Sequence, residues 1–432
     1  MSSAPSLVSP GSRPKLAQAR SGGPASDRKK FLLPSLAKLL SIFMDYSQIQ
    51  KEYLVPTYPN RGLTMVKGEG VFLYDEAGKK YLDCLIAIGG NNLGHCLPEI
   101  TQAISDQLNL LPTLHCSLNN DTRSKAISKL TKVLPESLSR FYFANSGTEA
   151  VEAALKFSVI ATGRTKFMAA SNGYHGKTLG ALGATTSNHG KYLEPFKTLV
   201  PEFDFVEFGN LSALEQQLSV NHAALIMEVI QGEGGVILPP AGYFKAVKRL
   251  CEAKGVLLIL DEIQTGLGRT GTLFAFESQD VVPDILCLGK GLATCVPVGL
   301  TVVSREISDK IVKGSQTSTF GGNPLGASGI IATLDYINHH HVLENVRQIG
   351  EYFLTQLKSL NNPLIKEVRG MGLMIGLELT VKAMPYAQKL QAEGVLCMPT
   401  GENVLRFLPP LIITSQQIDW LISKINQVFV KA

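Results

Sequence analysis

Val256-Leu257-Leu258-Ile259-Leu260-Asp261-Glu262-Ile263-Gln264 sets five apolar residues directly against two carboxylates. A run with no polar face predicts a strand buried on both sides, as in a parallel sheet covered by helices. A carboxylate at the end of such a strand is costly unless something pairs with it. Working outward, the same unit recurs. Phe141–Ala144 predicts a short strand stopping at Asn145-Ser146-Gly147, and Thr148–Ala161 a helix with Ser146 or Thr148 near its N-cap. Lys166–Ala170 and Ala223–Ile230 predict further strands, Gly242–Ala253 a helix, and Ile285–Leu288 a short strand that delivers Lys290. This alternation implies an α/β fold: a large domain whose mainly parallel sheet carries helices on both faces. A helix at 345–359, short strands near 373–379 and 404–407 and a helix at 415–430 predict a smaller α+β domain. The expected division is a tail at 1–43, an N-terminal segment of the small domain at 44–100, a large domain at 101–340 and the rest of the small domain at 341–432.

Composition narrows the function classes. The 432 residues carry a formal charge of +5, but residues 1–43 hold seven Lys/Arg against one acid, Asp27, which leaves −1 for the remainder. A nucleic-acid binder carries its charge on the folded body, so nucleic acid is not an expected partner. No apolar run reaches the ~18 residues of a membrane span. Seven cysteines lie scattered at 84, 96, 116, 251, 287, 295 and 397 without a CxxC pair, which points to a reducing compartment and away from a disulfide framework or zinc site. His339-His340-His341 has no partner cluster and closes a helical stretch, so it reads as a solvated helix end and no metal is expected. Residues 1–30, rich in Ser, Pro, Gly and Arg, read as disordered, and 31–43 as a short amphipathic helix. Together they are similar to an organelle transit peptide. The equal alternative is a leader ahead of a start at Met44. A cytoplasmic location is expected, or a mitochondrial or plastid one if the tail is a transit peptide.

In open α/β sheets ligands sit at the carboxyl ends of strands, and three strand ends here carry chemistry. Asn145-Ser146-Gly147-Thr148 opens a helix, where backbone N–H groups and the helix dipole favour a phosphate. An ordinary N-cap explains the same residues. Asp261 is read either as an acceptor of backbone N–H groups or as an anion held opposite a ring nitrogen. Pyridoxal phosphate needs such a partner to keep its pyridinium protonated. Lys290 stands between Gly289 and Gly291, and glycines let backbone approach a ligand closely. A lysine amine forms Schiff bases when desolvation or a neighbouring cation lowers its pKa. Alone, the tripeptide also fits a surface turn.

A different class is suggested by Gly266-Leu267-Gly268-Arg269-Thr270-Gly271, which matches GxGxxG and follows a strand. It would indicate a nicotinamide- or flavin-dependent oxidoreductase. The glycines come too late after the strand, Thr272–Phe276 reads as β-like where a helix should open, and no acid lies ~20 residues on.

With Ser146-Gly147-Thr148, Tyr174-His175-Gly176, Asp261-Glu262-Ile263-Gln264 and Gly289-Lys290-Gly291 in this order, residues ~50–430 resemble the class III pyridoxal-phosphate aminotransferases, of PLP fold type I. Further similar stretches are Asn91–His95, Gln231–Gly235, Thr319–Pro324 and Leu405–Pro410. The resemblance implies that Lys290 and Asp261 are catalytic. Lys290 would bind the cofactor aldehyde and later shuttle the proton, and Asp261 would pair with the ring nitrogen. Gln264 would contact the ring hydroxyl, Tyr174 would stack on the ring, and Ser146, Gly147, Thr148 and His175 would complete the cofactor site. Thr319 would reach the phosphate of the neighbouring subunit of a homodimer. Arg406 would grip the α-carboxylate of 2-oxoglutarate, and Glu233 would cover Arg406 while the amine donor is bound.

Within the family the chain is most similar to members acting on acetylornithine, which implies N2-acetylornithine as donor, 2-oxoglutarate as acceptor and a place in arginine biosynthesis. One residue departs from that pattern. Lys177 follows His175-Gly176 where such members usually carry Arg to hold the substrate's distal carboxylate. Lysine keeps the charge but loses the bidentate fork. The alternative donor is a diamine such as putrescine or another ω-amino acid.

Overall fold

In the computed structural model, which describes residues 45–430, Leu257–Asp261 lies in the middle of a seven-stranded sheet. Residues 45–64 form a unit of their own, in which Asp45 caps the helix Tyr46–Tyr53 by accepting the Gln48 N–H at 2.8 Å. The tail and the expected helix at 31–43 lie outside the described residues. Everything below concerns the unit that begins at Met65.

From one edge, the sheet runs Arg140–Ala144, Gly299–Val303, Ile285–Leu288, Leu257–Asp261, His222–Glu228, Lys166–Ala170 and Phe203–Val206. Gly299–Val303 is antiparallel to both of its neighbours. The other pairings are parallel, so the strands ending at Ala144, Ala170, Glu228, Asp261 and Leu288 all point one way. Alternate residues feed separate cores. Leu225, Met227, Leu258, Leu260, Leu286 and Leu288 face one side, and Ala224, Ile226, Ile259, Ile285 and Cys287 the other. Both faces are therefore covered, which is why these strands are apolar throughout.

Two smaller four-stranded sheets complete the fold. One joins Met65–Glu69, Phe72–Asp75 and Lys80–Asp83 to Val395–Leu396. The other is an antiparallel set of Ile365–Met371, Met374–Leu379, Val404–Phe407 and Met398–Thr400, and it carries Arg406.

Several expected elements shift. The strand expected over Ala223–Ile230 ends at Glu228, because Glu228 takes backbone N–H groups from two loops. Thr272–Phe276 is not β-like: it turns into a short 3-10 helix, Ala275–Gln279, whose Ala275 and Phe276 N–H groups bond the buried Glu262 carboxylate, each at 2.7 Å. The oxidoreductase reading fails on the same loop. The loop from Glu262 to Gly271 turns back on itself through Gly266 N to Glu262 O and Gly271 N to Gly268 O, and no helix opens there to receive a phosphate. The helix expected at 345–359 starts at Val342. His339 ends the preceding helix, while His340 stacks on Tyr336 and lies 2.7 Å from Glu99.

Candidate active site

The loops that leave the parallel strands at their carboxyl ends converge on one region. Residues 171–178 follow Lys166–Ala170, 229–235 follow His222–Glu228, 262–265 follow Leu257–Asp261, and Gly289-Lys290 follows Ile285–Leu288. Glycines let them approach. A β-carbon on Gly232 would stand 2.0 Å from Gln264 Oε1, and one on Gly176 2.1 Å from Thr148 Oγ1.

Asp261 is buried, and each oxygen has a partner. Oδ1 accepts the Ile263 N–H at 3.0 Å, and Oδ2 lies 2.7 Å from His175 Nδ1. The backbone-acceptor reading of Asp261 therefore holds on one oxygen, and the other is held by the His175 imidazole. His175 Nε2 is buried without a hydrogen-bond partner. Glu228 stands beside Asp261 in the neighbouring strand and went unread in the sequence. Its oxygens accept the N–H groups of Tyr174 and Gly232, each at 2.9 Å. Burial, with the like charge of Asp261, pushes the Glu228 carboxyl up to about 7. One carboxylate therefore ties the loop carrying Tyr174 and His175 to the loop carrying Glu233. The only signal in the sequence was an acid inside an otherwise apolar run.

Lys290 takes a left-handed backbone, φ 45°, unusual for a residue with a side chain. Desolvation lowers its amine below the ordinary lysine range, against the opposing pull of Glu233 and Asp261. The flanking glycines are required by close packing against protein, whatever else they admit. A β-carbon on Gly291 would strike Asn92 at 2.2 Å, and one on Gly289 would stand 3.2 Å from Gly147 Cα. They let protein close on protein. Asn92 in turn accepts from the buried guanidinium of Arg269 at 3.0 Å. Both lie in stretches noted in the sequence, Asn91–His95 and Gly266–Gly271, but nothing there indicated that they meet.

Arg406 is fully buried. Its Nη2 forms an ion pair with Glu233 Oε1 at 2.7 Å, and its Nη1 donates to Gln264 Oε1 at 3.3 Å. Burial alone would raise the Glu233 carboxyl, but Arg406 overrides it and leaves the group below its ordinary value, helped by Lys290 and Lys177. Lys177 is exposed, with its ammonium 4.1 Å from the centre of the Tyr192 ring.

Ser146 acts as a helix cap. Its Oγ accepts the Glu149 N–H at 3.4 Å, while Glu149 accepts the Asn145 N–H at 2.7 Å. The ordinary capping reading therefore holds for Ser146. Gly147 and Thr148 occupy the first two helical positions, whose N–H groups have no intrahelical acceptor. Thr148 Oγ1 also lies 2.7 Å from Thr178 Oγ1. Thr319 is exposed and lines an open cleft of about 530 Å³ together with Asn145, Glu149 and Thr178. Among the described residues no cluster of His, Cys, Asp or Glu could hold a metal ion, and no helix is long and apolar enough to cross a membrane.

Residues 54–429 match the family model of class-III aminotransferases. The [LysW]-aminoadipate semialdehyde transaminase of Deinococcus radiodurans is 40% identical over 382 residues, covering 88% of this chain and 89% of that protein. The acetylornithine aminotransferase of Methanocaldococcus jannaschii is 40% identical over 395 residues, covering 89% and 98%. Among solved structures, the ornithine aminotransferase of Toxoplasma gondii superposes with a TM-score of 0.87 at 31% identity, covering 93% of this chain and 98% of that one.

Proposed function

The chain belongs to the class-III aminotransferases, and within that family we propose that it moves the terminal amino group of N2-acetylornithine to 2-oxoglutarate, leaving an aldehyde and glutamate, as a step of arginine biosynthesis. Its cofactor is pyridoxal phosphate, which supplies an electron sink for the charge left when a proton leaves the amine-bearing carbon. The residues fit that group. Lys290 offers an amine of lowered pKa, Asp261 a buried anion, and Gly147 and Thr148 N–H donors at a helix start. Ser146, Tyr174, His175 and Gln264 would complete the holder, with Lys290 carrying the proton and Asp261 fixed in place by His175.

The observation that carries the substrate reading is the Arg406–Glu233 pair. A keto acid with two carboxylates needs two cations, one beside the reacting carbon and one remote. Arg406 and Lys177 supply them. An ω-amine donor has no carboxylate beside its reacting carbon, so Arg406 must then be neutralised, and Glu233 does this without leaving a buried charge unpaired. The remote carboxylate of N2-acetylornithine would meet Lys177 in both half-reactions. A diamine or other ω-amino acid donor is the second reading, supported by the single ammonium of Lys177 in place of a guanidinium fork. The exposure of Thr319 supports a homodimer in which it reaches the neighbouring subunit's phosphate. The parallel pairing of Val395–Leu396 with Leu82–Asp83 supports grouping 65–100 with 341–432 in a small domain beside a large domain at 101–340, while 45–64 form a separate unit.

The test is the loss of the cofactor's visible band in a single turnover with each donor. N2-acetylornithine is expected to act faster than putrescine, and Lys177→Ala to weaken acetylornithine and 2-oxoglutarate by ~1.5–3 kcal/mol each. Faster reaction with putrescine, improved further by Lys177→Ala, would move the assignment to diamines.

A further inference from the structure

Lys177 is exposed, and a lysine ammonium is a point charge on a four-carbon stem with no geometry of its own. Free, it would spend its rotamer entropy each time a substrate bound. It also lies within electrostatic reach of Glu233, a carboxylate that could capture it. In the structure it does neither: its Nζ sits 4.1 Å from the centre of the Tyr192 ring, at cation–π distance.

The backbone goes to some trouble to put that ring there. Asn188, His189 and Gly190 are three consecutive residues with positive φ, at 56°, 56° and 71°. Asparagine tolerates this conformation and histidine less readily, so such strain persists only where surroundings enforce it. The enforcing contacts come from the loop that carries Lys177. Thr186 and Ser187 both donate their N–H groups to Gly173 O at 3.0 Å, and Thr186 Oγ1 accepts from Asn172 N at 2.8 Å. Leu193, next to Tyr192, is buried. The turn is thus clamped at Gly173, four residues before Lys177, and folds back to lay the Tyr192 ring under the ammonium.

We propose that Tyr192 is a specificity-determining residue: its ring fixes the ammonium of Lys177 and thereby favours substrates that carry a carboxylate remote from the reacting carbon. This rests on the reading of Lys177 given above. The ring does for lysine part of what a guanidinium fork does through its own shape.

The test compares 2-oxoglutarate with 2-oxopentanoate, which has a methyl group in place of the distal carboxylate, as acceptors for aminated enzyme. The ratio of their kcat/KM values cancels any loss of folded protein. Tyr192→Leu is expected to lower the ratio about two- to five-fold, through KM, as fits one exposed cation–π contact. Tyr192→Phe, which keeps the ring, should restore it. In a Lys177→Ala background, where the ratio is already low, Tyr192→Leu should lower it no further. The proposal is overturned if Lys177→Ala lowers the ratio and Tyr192→Leu does not, or if Tyr192→Leu acts equally without Lys177. If Lys177→Ala itself leaves the ratio unchanged, the reading of Lys177 fails first, and the role of Tyr192 falls with it.

Discussion

Replacing Asp261 by Asn separates what this carboxylate does for the fold from what it does for the reaction. The side chain makes two contacts, with the Ile263 N–H at 3.0 Å and with His175 Nδ1 at 2.7 Å. An asparagine can keep both. Its oxygen accepts from Ile263, and its amide donates to Nδ1 once His175 moves its proton to Nε2. Nε2 is already buried without a partner, so one orphan acceptor becomes one orphan donor. What is lost is charge assistance: a hydrogen bond to an ionised group contributes ~1.5–3 kcal/mol against ~0.5–1.5 for a neutral one, so stability should fall by about 1 kcal/mol. Transition-state stabilisation should fall by more, ~3–4 kcal/mol, as for removal of one preorganised electrostatic partner. Asp261→Ala is the contrasting case. It strands the buried His175 Nδ1 at ~1–3 kcal/mol and the half-buried Ile263 N–H at less, and should be markedly unstable. Urea unfolding gives the first quantity, and single-turnover rates of the cofactor-loaded enzyme give the second. An Asp261→Asn protein that reacts at the parent rate would make Asp261 a purely structural residue. One that loses stability as Asp261→Ala does would refute the accounting of contacts.

Three further outcomes follow from the same geometry. Lys290→Ala should lower turnover by several orders of magnitude, and borohydride reduction of parent enzyme followed by peptide mapping should label Lys290; a label on another lysine would reject the assignment. Glu233→Gln leaves Arg406 without its charge partner, so binding of amine donors should weaken by roughly 2–5 kcal/mol while 2-oxoglutarate loses much less; equal losses measured by half-reaction kinetics would mean that Glu233 does not distinguish the two substrates. The carboxyls of Glu228 and Glu262, both pushed by burial from 4.5 up to about 7, stay protonated in the folded chain where the unfolded chain is ionised. Their contribution to stability is thus full below pH ~4.5 and lost as pH rises through ~7, by up to ~3 kcal/mol for each. Unfolding free energies across that window should show the fall, and Glu228→Gln should roughly halve it, leaving the part due to Glu262; a slope unaltered by that change would show that Glu228 is ionised throughout.

The sequence by itself determined the sheet. Five apolar residues before Asp261 and four before Gly289 are too short for buried helices and fit strands covered on both faces, and the structure divides them residue by residue between two cores. It also marked the strand ends where Asp261, Lys290 and the start of the Gly147–Thr162 helix stand, because polar groups closing buried runs are visible without coordinates. Tertiary structure alone decided what those groups meet. Arg406 and Glu233 are 173 positions apart, yet their charges lie 2.7 Å from each other. Glu228 read as one acid in an apolar stretch until two loops brought their N–H groups to it. The glycines beside Lys290 read as an approach for a ligand, and the structure shows that they also let Asn92 and Gly147 pack closely against the chain. Periodicity records which residues face a core, since burial is a property of each residue's own side chain. Pairing depends on where distant loops return, and that is fixed by packing of the whole chain.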